Sequence, residues 1–288
     1  MQKHFLFIFL VCSFLSCATA PDPVPVSKLD ASFTKRGEYF VKSLAACGFC
    51  HGKEGTPESE LSGGRIQLDT YGEARAPNLT PGSKEMKDRD PYTLVNAIRL
   101  SWLKEEGFSP AFHRGFEWLS DTDALSISSY LKSLLAVENH VDRRSVGFFT
   151  RNTVGLFEST AQDVPGFVPQ VSNLEVEKYG EYLTDHVARC GRCHNSAATM
   201  LSSEGYLKGG QEIYVDGESK VAPSITSNTE VGIGNWNEDD IVAYLRTGVT
   251  PDKREIDAKF CPIKFYRLAN NQDLAAMAKY LKNVSVSQ

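Results

Sequence analysis

The sequence predicts an all-α protein made of two small helical domains in tandem, joined by a partly packed linker. Three observations support this prediction: apolar residues recur at helical spacing, no sustained alternation typical of β-strands is visible, and the two halves of the chain repeat one another. The 288 residues suffice for two domains of roughly 100–150 residues each. Hydrophobic residues make up 41% of the chain, which excludes a disordered protein.

The N-terminal residues are predicted to be an export signal. The apolar run 5–15 follows a basic start and is too short to span a bilayer. Phe14-Leu15-Ser16-Cys17 resembles a relaxed bacterial lipobox, so we expect residues 1–16 to be a lipoprotein-type signal peptide, Cys17 to be lipidated, and residues 17–30 to form a tether. Cleavage after Ala18, which would release a periplasmic protein without an anchor, is the alternative.

The internal repeat defines the domains. Gly37-Glu38-Tyr39-Phe40 matches Gly180-Glu181-Tyr182-Leu183 at an offset of 143 residues, and Tyr130-Leu131-Lys132 matches Tyr280-Leu281-Lys282 at an offset of 150. The order is kept while the offset drifts, as small loop insertions would cause. We call residues 31–137 the first repeat and residues 173–288 the second repeat. The connecting segment, 138–172, is too apolar for a flexible linker.

Each repeat is expected to begin and end with a helix around a loop-rich middle. Residues 32–46 carry apolar side chains near helical spacing, and residues 272–284 do the same with Asn271 as the expected cap. A further helix fits Pro91–Leu100 in the first repeat and Glu238–Arg246 in the second. Four such segments are enough to build two small helical domains.

The chemistry lies in two matching motifs, Cys47-Gly48-Phe49-Cys50-His51 and Cys190-Gly191-Arg192-Cys193-His194. C-x-x-C-H is the attachment signature of c-type haem. The sequence therefore predicts two covalently bound haem c groups, with the four cysteines as thioether sites. His51 and His194 are then the proximal iron ligands.

Other uses of paired cysteines fit less well. A thioredoxin-like motif needs a βαβ context, which is not visible. One zinc ion shared by both pairs would leave a histidine beside each pair unexplained. Two disulfides remain an alternative in an exported protein.

On these motifs the chain resembles the dihaem cytochromes c that are electron-transfer subunits of bacterial membrane dehydrogenases. The resemblance also rests on the turns Ala76–Thr80 and Ala222–Thr226, on Gly232–Trp236 and on the closing Tyr-Leu-Lys helices. It implies a pair of class I cytochrome c domains. In that family a glycine of the first helix crosses an aromatic residue of the last, and the matching pairs here are Gly37 with Tyr130 and Gly180 with Tyr280.

The chain departs from that family at the distal iron ligand, where the family has methionine. Met86 lies in a charged run expected to be a solvated loop, Met200 is too near His194, and Met277 lies on the apolar face of the last helix. His113 and Cys261 occupy the expected place, and both are iron ligands in other proteins. The alternatives are that His113 lies on the surface and that Cys261 is a buried apolar residue.

Electron transfer between redox partner proteins, a dehydrogenase donor and a respiratory acceptor, is the expected function. With 31 basic and 36 acidic residues the chain has a net charge of −5 and no basic stripe, so nucleic acid is not an expected partner. Whether the protein is itself an enzyme stays open. The alternatives are a thiosulfate dehydrogenase-like enzyme with a His/Cys haem, and a peroxidase or gas sensor with one open iron.

Overall fold

A computed structural model describes residues 28–69, 72–100, 111–142, 144, 164, 166–196 and 205–284. The signal peptide, Cys17, Met200 and most of the tether and linker lie outside these residues. Helices dominate the described part, which confirms a mainly helical fold. None of the described helices is both long and apolar enough to cross a membrane.

The elements of the first repeat begin with the predicted N-terminal helix. In chain order they are α1 (Ala31–Lys42), α2 (Cys47–His51), β1 (Ile66–Asp69), β2 (Gly72–Arg75), α3 (Lys84–Lys87), α4 (Pro91–Leu100) and α5 (Asp121–Ser133). Two short 3₁₀ turns, Ala111–His113 and Phe116–Trp118, precede α5.

The second repeat has a similar order, but its additional short helix follows the middle helix instead of preceding it. Its elements are α6 (Val176–Tyr182), extended by a π-helical turn over Leu183–Val187, α7 (Gly191–His194), β3 (Glu212–Val215), β4 (Glu218–Val221), α8 (Glu238–Thr247), α9 (Ile263–Tyr266) and α10 (Asn271–Asn283). The two antiparallel hairpins, β1–β2 and β3–β4, are additions to the predicted all-α fold. Strands of four residues are too short for an alternating pattern to stand out.

Polar caps fix where the long helices begin. Ser120 caps α5 by accepting a hydrogen bond from the backbone N–H of Asp123. Asn270 caps α10 in the same way from Asp273, so the expectation that Asn271 is the cap is wrong by one residue. Asn270 has the extended backbone that a cap requires, whereas Asn271 is already helical.

The first and last helices of each repeat cross at a glycine. A Cβ atom on Gly37 of α1 would overlap the backbone carbonyl of Ser126 in α5, and one on Gly180 of α6 would overlap that of Ala276 in α10. In the second repeat, the Cβ of the aromatic residue Tyr280 would lie 2.9 Å from the Cβ atom added to Gly180. In the first repeat the closest atoms belong to the backbone of Ser126 and Ile127 rather than to Tyr130, which lies one turn further on.

The methionines also differ in part from expectation. Met277 is fully buried in the core, as predicted. Met86 is only 4% exposed, because α3 turns its side chain inwards within the charged run that was expected to be solvated. The backbone carbonyl of Met86 accepts a hydrogen bond from Lys132 of α5 at 2.7 Å.

Two arginines at matching positions hold the start of the last helix in each repeat. Arg99 of α4 donates to the carbonyl of Leu119 and to the carboxylate of Asp121. Arg246 of α8 donates to the carbonyl of Ala269 and to the side chain of Asn271. Since Leu119 matches Ala269 and Asp121 matches Asn271 in the repeat, the same support is built twice.

A reciprocal pair of hydrogen bonds joins the two repeats. The Tyr39 hydroxyl of α1 donates to the Asp273 carboxylate of α10, and the Tyr182 hydroxyl of α6 donates to the Asp123 carboxylate of α5, each at 2.6 Å. Asp123 is 0% and Asp273 4% exposed. Burial, followed by the neighbouring Asp123 carboxylate, raises the pKa of Tyr182 well above its usual value, so the phenol stays a donor.

Replacing Tyr182 with phenylalanine is expected to destabilise the protein, because a hydrogen bond to a buried carboxylate is lost. The expected decrease in the free energy of unfolding is about 1.5–3 kcal/mol. Urea unfolding of the haem-loaded protein measures it. Tyr214→Phe is the matched control, since no hydrogen bond of its hydroxyl is found within the described residues. Equal stability of Tyr182→Phe and the control would contradict the prediction.

Candidate functional site

The first C-x-x-C-H motif forms the short helix α2. Cys47 and Cys50 are three residues apart and therefore lie on one side of the helix. His51 follows at its end and is buried, and its Nδ1 donates to the carbonyl oxygen of Pro77 at 2.9 Å. Because Nδ1 carries the proton, Nε2 carries the free lone pair. The Ala76-Pro77 turn noted in the sequence thus orients this imidazole.

The second motif has the same local geometry. Cys193 and His194 lie on the short helix α7, and Cys190 directly precedes it. The Nδ1 of His194 donates to the carbonyl oxygen of Pro223 at 2.7 Å. Burial lowers the pKa of His194, so this imidazole is also neutral with a free Nε2. The repeated Ala-Pro turns therefore hold His51 and His194 in the same tautomer.

His113 lies opposite His51 in the first repeat. The centroids of their rings are 6.1 Å apart, and the Nδ1 of His113 donates to the carbonyl oxygen of Ile98 at 2.6 Å. Bonds between a metal ion and an imidazole are about 2 Å long, so two imidazoles on opposite sides of one ion have centroids roughly 6 Å apart. The half-buried His113 is thus not on an open surface, and its spacing from His51 suits a shared metal ion.

Both imidazoles are prepared to bind a metal ion as neutral ligands. Burial lowers the pKa of His51 to about 4 and that of His113 to about 3. A neutral imidazole offers its lone pair, whereas a protonated one does not. The thiols of Cys47 and Cys50 lie on the same short helix as His51. Together, the two thiols and the two imidazoles fit a covalently attached haem.

Cys261 lies half-buried between the 3₁₀-like turn at Phe260 and helix α9, close to the second motif. Burial, with a smaller contribution from Cys193, raises the pKa of the Cys261 thiol to about 12. Without a cation the thiol therefore stays protonated at neutral pH. A ferric iron would supply the positive charge that a thiolate needs. None of the five described cysteines forms a disulfide.

The second repeat also contributes residues that lie beside the first motif and His113. No sequence pattern predicts these residues. Arg189 donates from Nη1 to the carbonyl oxygen of Phe112 at 2.6 Å. Arg192 lies close to both Cys50 and Cys193. His186 donates from Nδ1 to the carbonyl oxygen of Gly115 at 2.9 Å. These contacts join positions more than seventy residues apart, which local spacing cannot reveal.

A pair of C-x-x-C-H helices, each with its histidine oriented by a proline carbonyl, resembles the haem-attachment sites of c-type cytochromes. More particularly, the chain resembles dihaem cytochromes c and the cytochrome c subunits of dehydrogenases. No protein-family model matches the chain. The resemblance predicted from the motifs is confirmed by three similar proteins.

The cytochrome c subunit of a quinone alcohol dehydrogenase from Gluconobacter oxydans is 29% identical over 88% of this chain and 55% of its own length. The fructose dehydrogenase cytochrome subunit of Gluconobacter japonicus is 27% identical over 93% of this chain and 55% of its own length. A dihaem c-type cytochrome of Cereibacter sphaeroides is 22% identical over 86% of this chain and 85% of its own length. The chain thus spans about half the length of the two dehydrogenase subunits.

Proposed function

We propose that this protein is an exported dihaem cytochrome c that carries electrons from a dehydrogenase to a respiratory acceptor. In this proposal residues 31–137 and 173–288 are two class I cytochrome c domains, residues 138–172 link them, and a lipid on Cys17 anchors the chain in the periplasm. The observation that carries the proposal is the 6.1 Å spacing of His51 and His113. An iron bound by both imidazoles has no open position, which suits electron transfer.

The chain's own residues hold, orient and shield the haem groups. Cys47 and Cys50 attach one haem, Cys190 and Cys193 attach the other, and the haem supplies the one-electron redox couple. His51 and His113 would bind the first iron through Nε2, since each Nδ1 is bonded to a backbone carbonyl. His194 and Cys261 would bind the second iron.

The names of the relatives support a dehydrogenase as the electron donor. Two of them are cytochrome subunits of alcohol and fructose dehydrogenases. We extend to this chain only the class of partner, a dehydrogenase that oxidises a small organic substrate and delivers electrons to a cytochrome.

The enzymatic alternatives have less support from the site. A thiosulfate dehydrogenase-like enzyme needs cations near Cys261 for its anionic substrate. Two of the nearby cations are already paired, Lys259 with Glu218 at 2.9 Å and Arg254 with Asp252 at 2.6 Å, whereas Lys253, Lys264 and Arg267 are exposed. A peroxidase or gas sensor needs an open iron, and the His51–His113 spacing argues against one at the first haem.

The proposal predicts that oxidised, haem-loaded protein contains two low-spin irons, one of them with the narrow g-spread of thiolate ligation. In His113→Ala the first iron is expected to lose its sixth ligand and become high-spin, while the second iron keeps its signal. Low-temperature EPR, together with a haem assay for two haems per chain, measures this. His140→Ala is the matched control, because His140 is exposed and, among the described residues, forms an ion pair only with Asp142.

A wild-type protein with a substantial high-spin signal would contradict the proposed ligand set. An unchanged spectrum in His113→Ala would remove His113 as a ligand. One haem per chain instead of two would contradict the proposed duplication of the domain.

A further inference from the structure

We propose that Arg189 of the second repeat is a positioning residue for His113, so that the distal ligand of the first iron is held in place by the other repeat. This inference rests on the proposed role of His113.

The backbone at Arg189 has an unusual conformation that both repeats share. Arg189 has a φ of 54°, a left-handed conformation that long side chains rarely adopt. The matching residue of the first repeat, Ala46, has a φ of 47°. The unusual turn before the C-x-x-C-H helix is thus common to both repeats, whereas the arginine is found only in the second.

The guanidinium of Arg189 holds the residues around His113. Its Nη1 donates to the carbonyl oxygen of Phe112 at 2.6 Å, and its Cζ lies 3.8 Å from the centroid of the Phe116 ring. The buried Phe116 ring in turn meets the His113 ring edge-on, with centroids 5.6 Å apart and planes at 85°. One cation therefore fixes the backbone before His113 and the aromatic ring that packs against its imidazole.

His186, which lies in the same segment as Arg189, holds the backbone on the other side of His113. His186 donates to the carbonyl oxygen of Gly115, which has a φ of 103°. A Cβ atom on Gly115 would lie 2.8 Å from the carbonyl oxygen of Asp185, so the two segments are in close contact. The backbone from Phe112 to Gly115 is thus fastened to the second repeat on both sides of His113.

The Nε of Arg189 is buried and forms no hydrogen bond with the described protein groups. The guanidinium also lies near the thiols of Cys47 and Cys50, the proposed attachment sites of the first haem. Arg189 is thus positioned at the site of the first haem, although it belongs to the second repeat.

The test compares Arg189→Ala, Arg189→Lys and a control in the full-length, haem-loaded protein. Alanine already occupies the matching turn as Ala46, so this backbone accepts it. Arg189→Lys keeps the charge but loses the planar fork. Arg254→Ala, which removes an exposed arginine paired with Asp252, is the control. The readouts are the ferric EPR spectrum and the rate at which cyanide replaces the sixth ligand of each ferric iron.

We expect cyanide to bind the first iron at least tenfold faster in Arg189→Ala than in wild type, with a new high-spin signal. The cyanide-binding rate of Arg189→Lys is expected to lie between those of Arg189→Ala and wild type. The cyanide-binding rate and spin state of the second haem, and of both haems in the control, should stay at wild-type values. A changed potential with unchanged cyanide rate and spin state would overturn the positioning role, because it would indicate a purely electrostatic effect. Equal changes at both haems would overturn it as well, because they would indicate general destabilisation.

His113→Ala separates this inference from the proposed function. If that variant is high-spin while Arg189→Ala equals wild type, His113 is a ligand but Arg189 does not position it. If His113→Ala equals wild type, the proposed ligand itself is wrong, and the role of Arg189 falls with it.

Discussion

Cys261→Met is expected to reverse the order of the two haem potentials. In the wild type we expect the second haem to have the lower midpoint potential, because a thiolate donates electron density and stabilises ferric iron. Neutral methionine, the ligand of the related family at this place, raises the potential instead. Since axial ligands move haem potentials over a range of about 0.8 V, we expect an increase on the order of 0.1 V or more at the second haem.

Potentiometric titration of the two haems, followed by visible spectroscopy, measures this order. Leu268→Met is the matched control, because it adds a methionine at an exposed position of the segment that follows Cys261. Wild-type protein whose second haem has the higher potential would contradict the assignment of Cys261. So would a Cys261→Met variant with both potentials unchanged.

Gly37→Val is expected to give the largest loss of stability of any single substitution discussed for this chain. The new side chain would overlap the backbone carbonyl of Ser126, so α1 and α5 must move apart. Overpacking of a core costs about 1–3 kcal/mol and occasionally more, and backbone cannot yield as a flexible side chain can. We therefore expect a loss of about 3 kcal/mol or more in the free energy of unfolding. Gly180→Val should behave alike against Ala276.

Urea unfolding monitored by circular dichroism measures this loss. Lys35→Val introduces the same β-branched residue at an exposed position of the same helix and is expected to cost no more than about 0.7 kcal/mol. If Gly37→Val were as stable as Lys35→Val, the close crossing of the helices would be wrong.

The sequence predicts the long helices and the residues of the first C-x-x-C-H motif well. Periodicity predicts α4 with the bounds that the structure has, Pro91–Leu100, because ten residues carry a clear apolar face. Motif spacing identifies Cys47, Cys50 and His51 as one group, and the structure places them on one short helix. The glycine of α1 is found at the crossing, although its partner is the backbone near Ser126 rather than Tyr130.

What the sequence does not predict depends on contacts between distant residues. The β1–β2 hairpin is missed because its strands are too short to show a period. The burial of Met86 is missed because a charged run was taken to indicate solvent, while the side chain turns to the core. Arg189 is missed because its role depends on Phe112 and Phe116 in the other repeat. Such pairings arise only once the repeats are packed together.

The reciprocal hydrogen bonds of Tyr39 and Tyr182 have a consequence for the symmetry of the molecule. Each repeat offers the donor from its first helix and the acceptor from its last. A contact that uses the same two positions from both sides is isologous, as in two-fold homodimers. Two identical subunits joined in this way would carry identical metal ligands. Joining the halves in one polypeptide removes that constraint, so the proposed ligands His113 and Cys261 can differ while the reciprocal hydrogen bonds are kept.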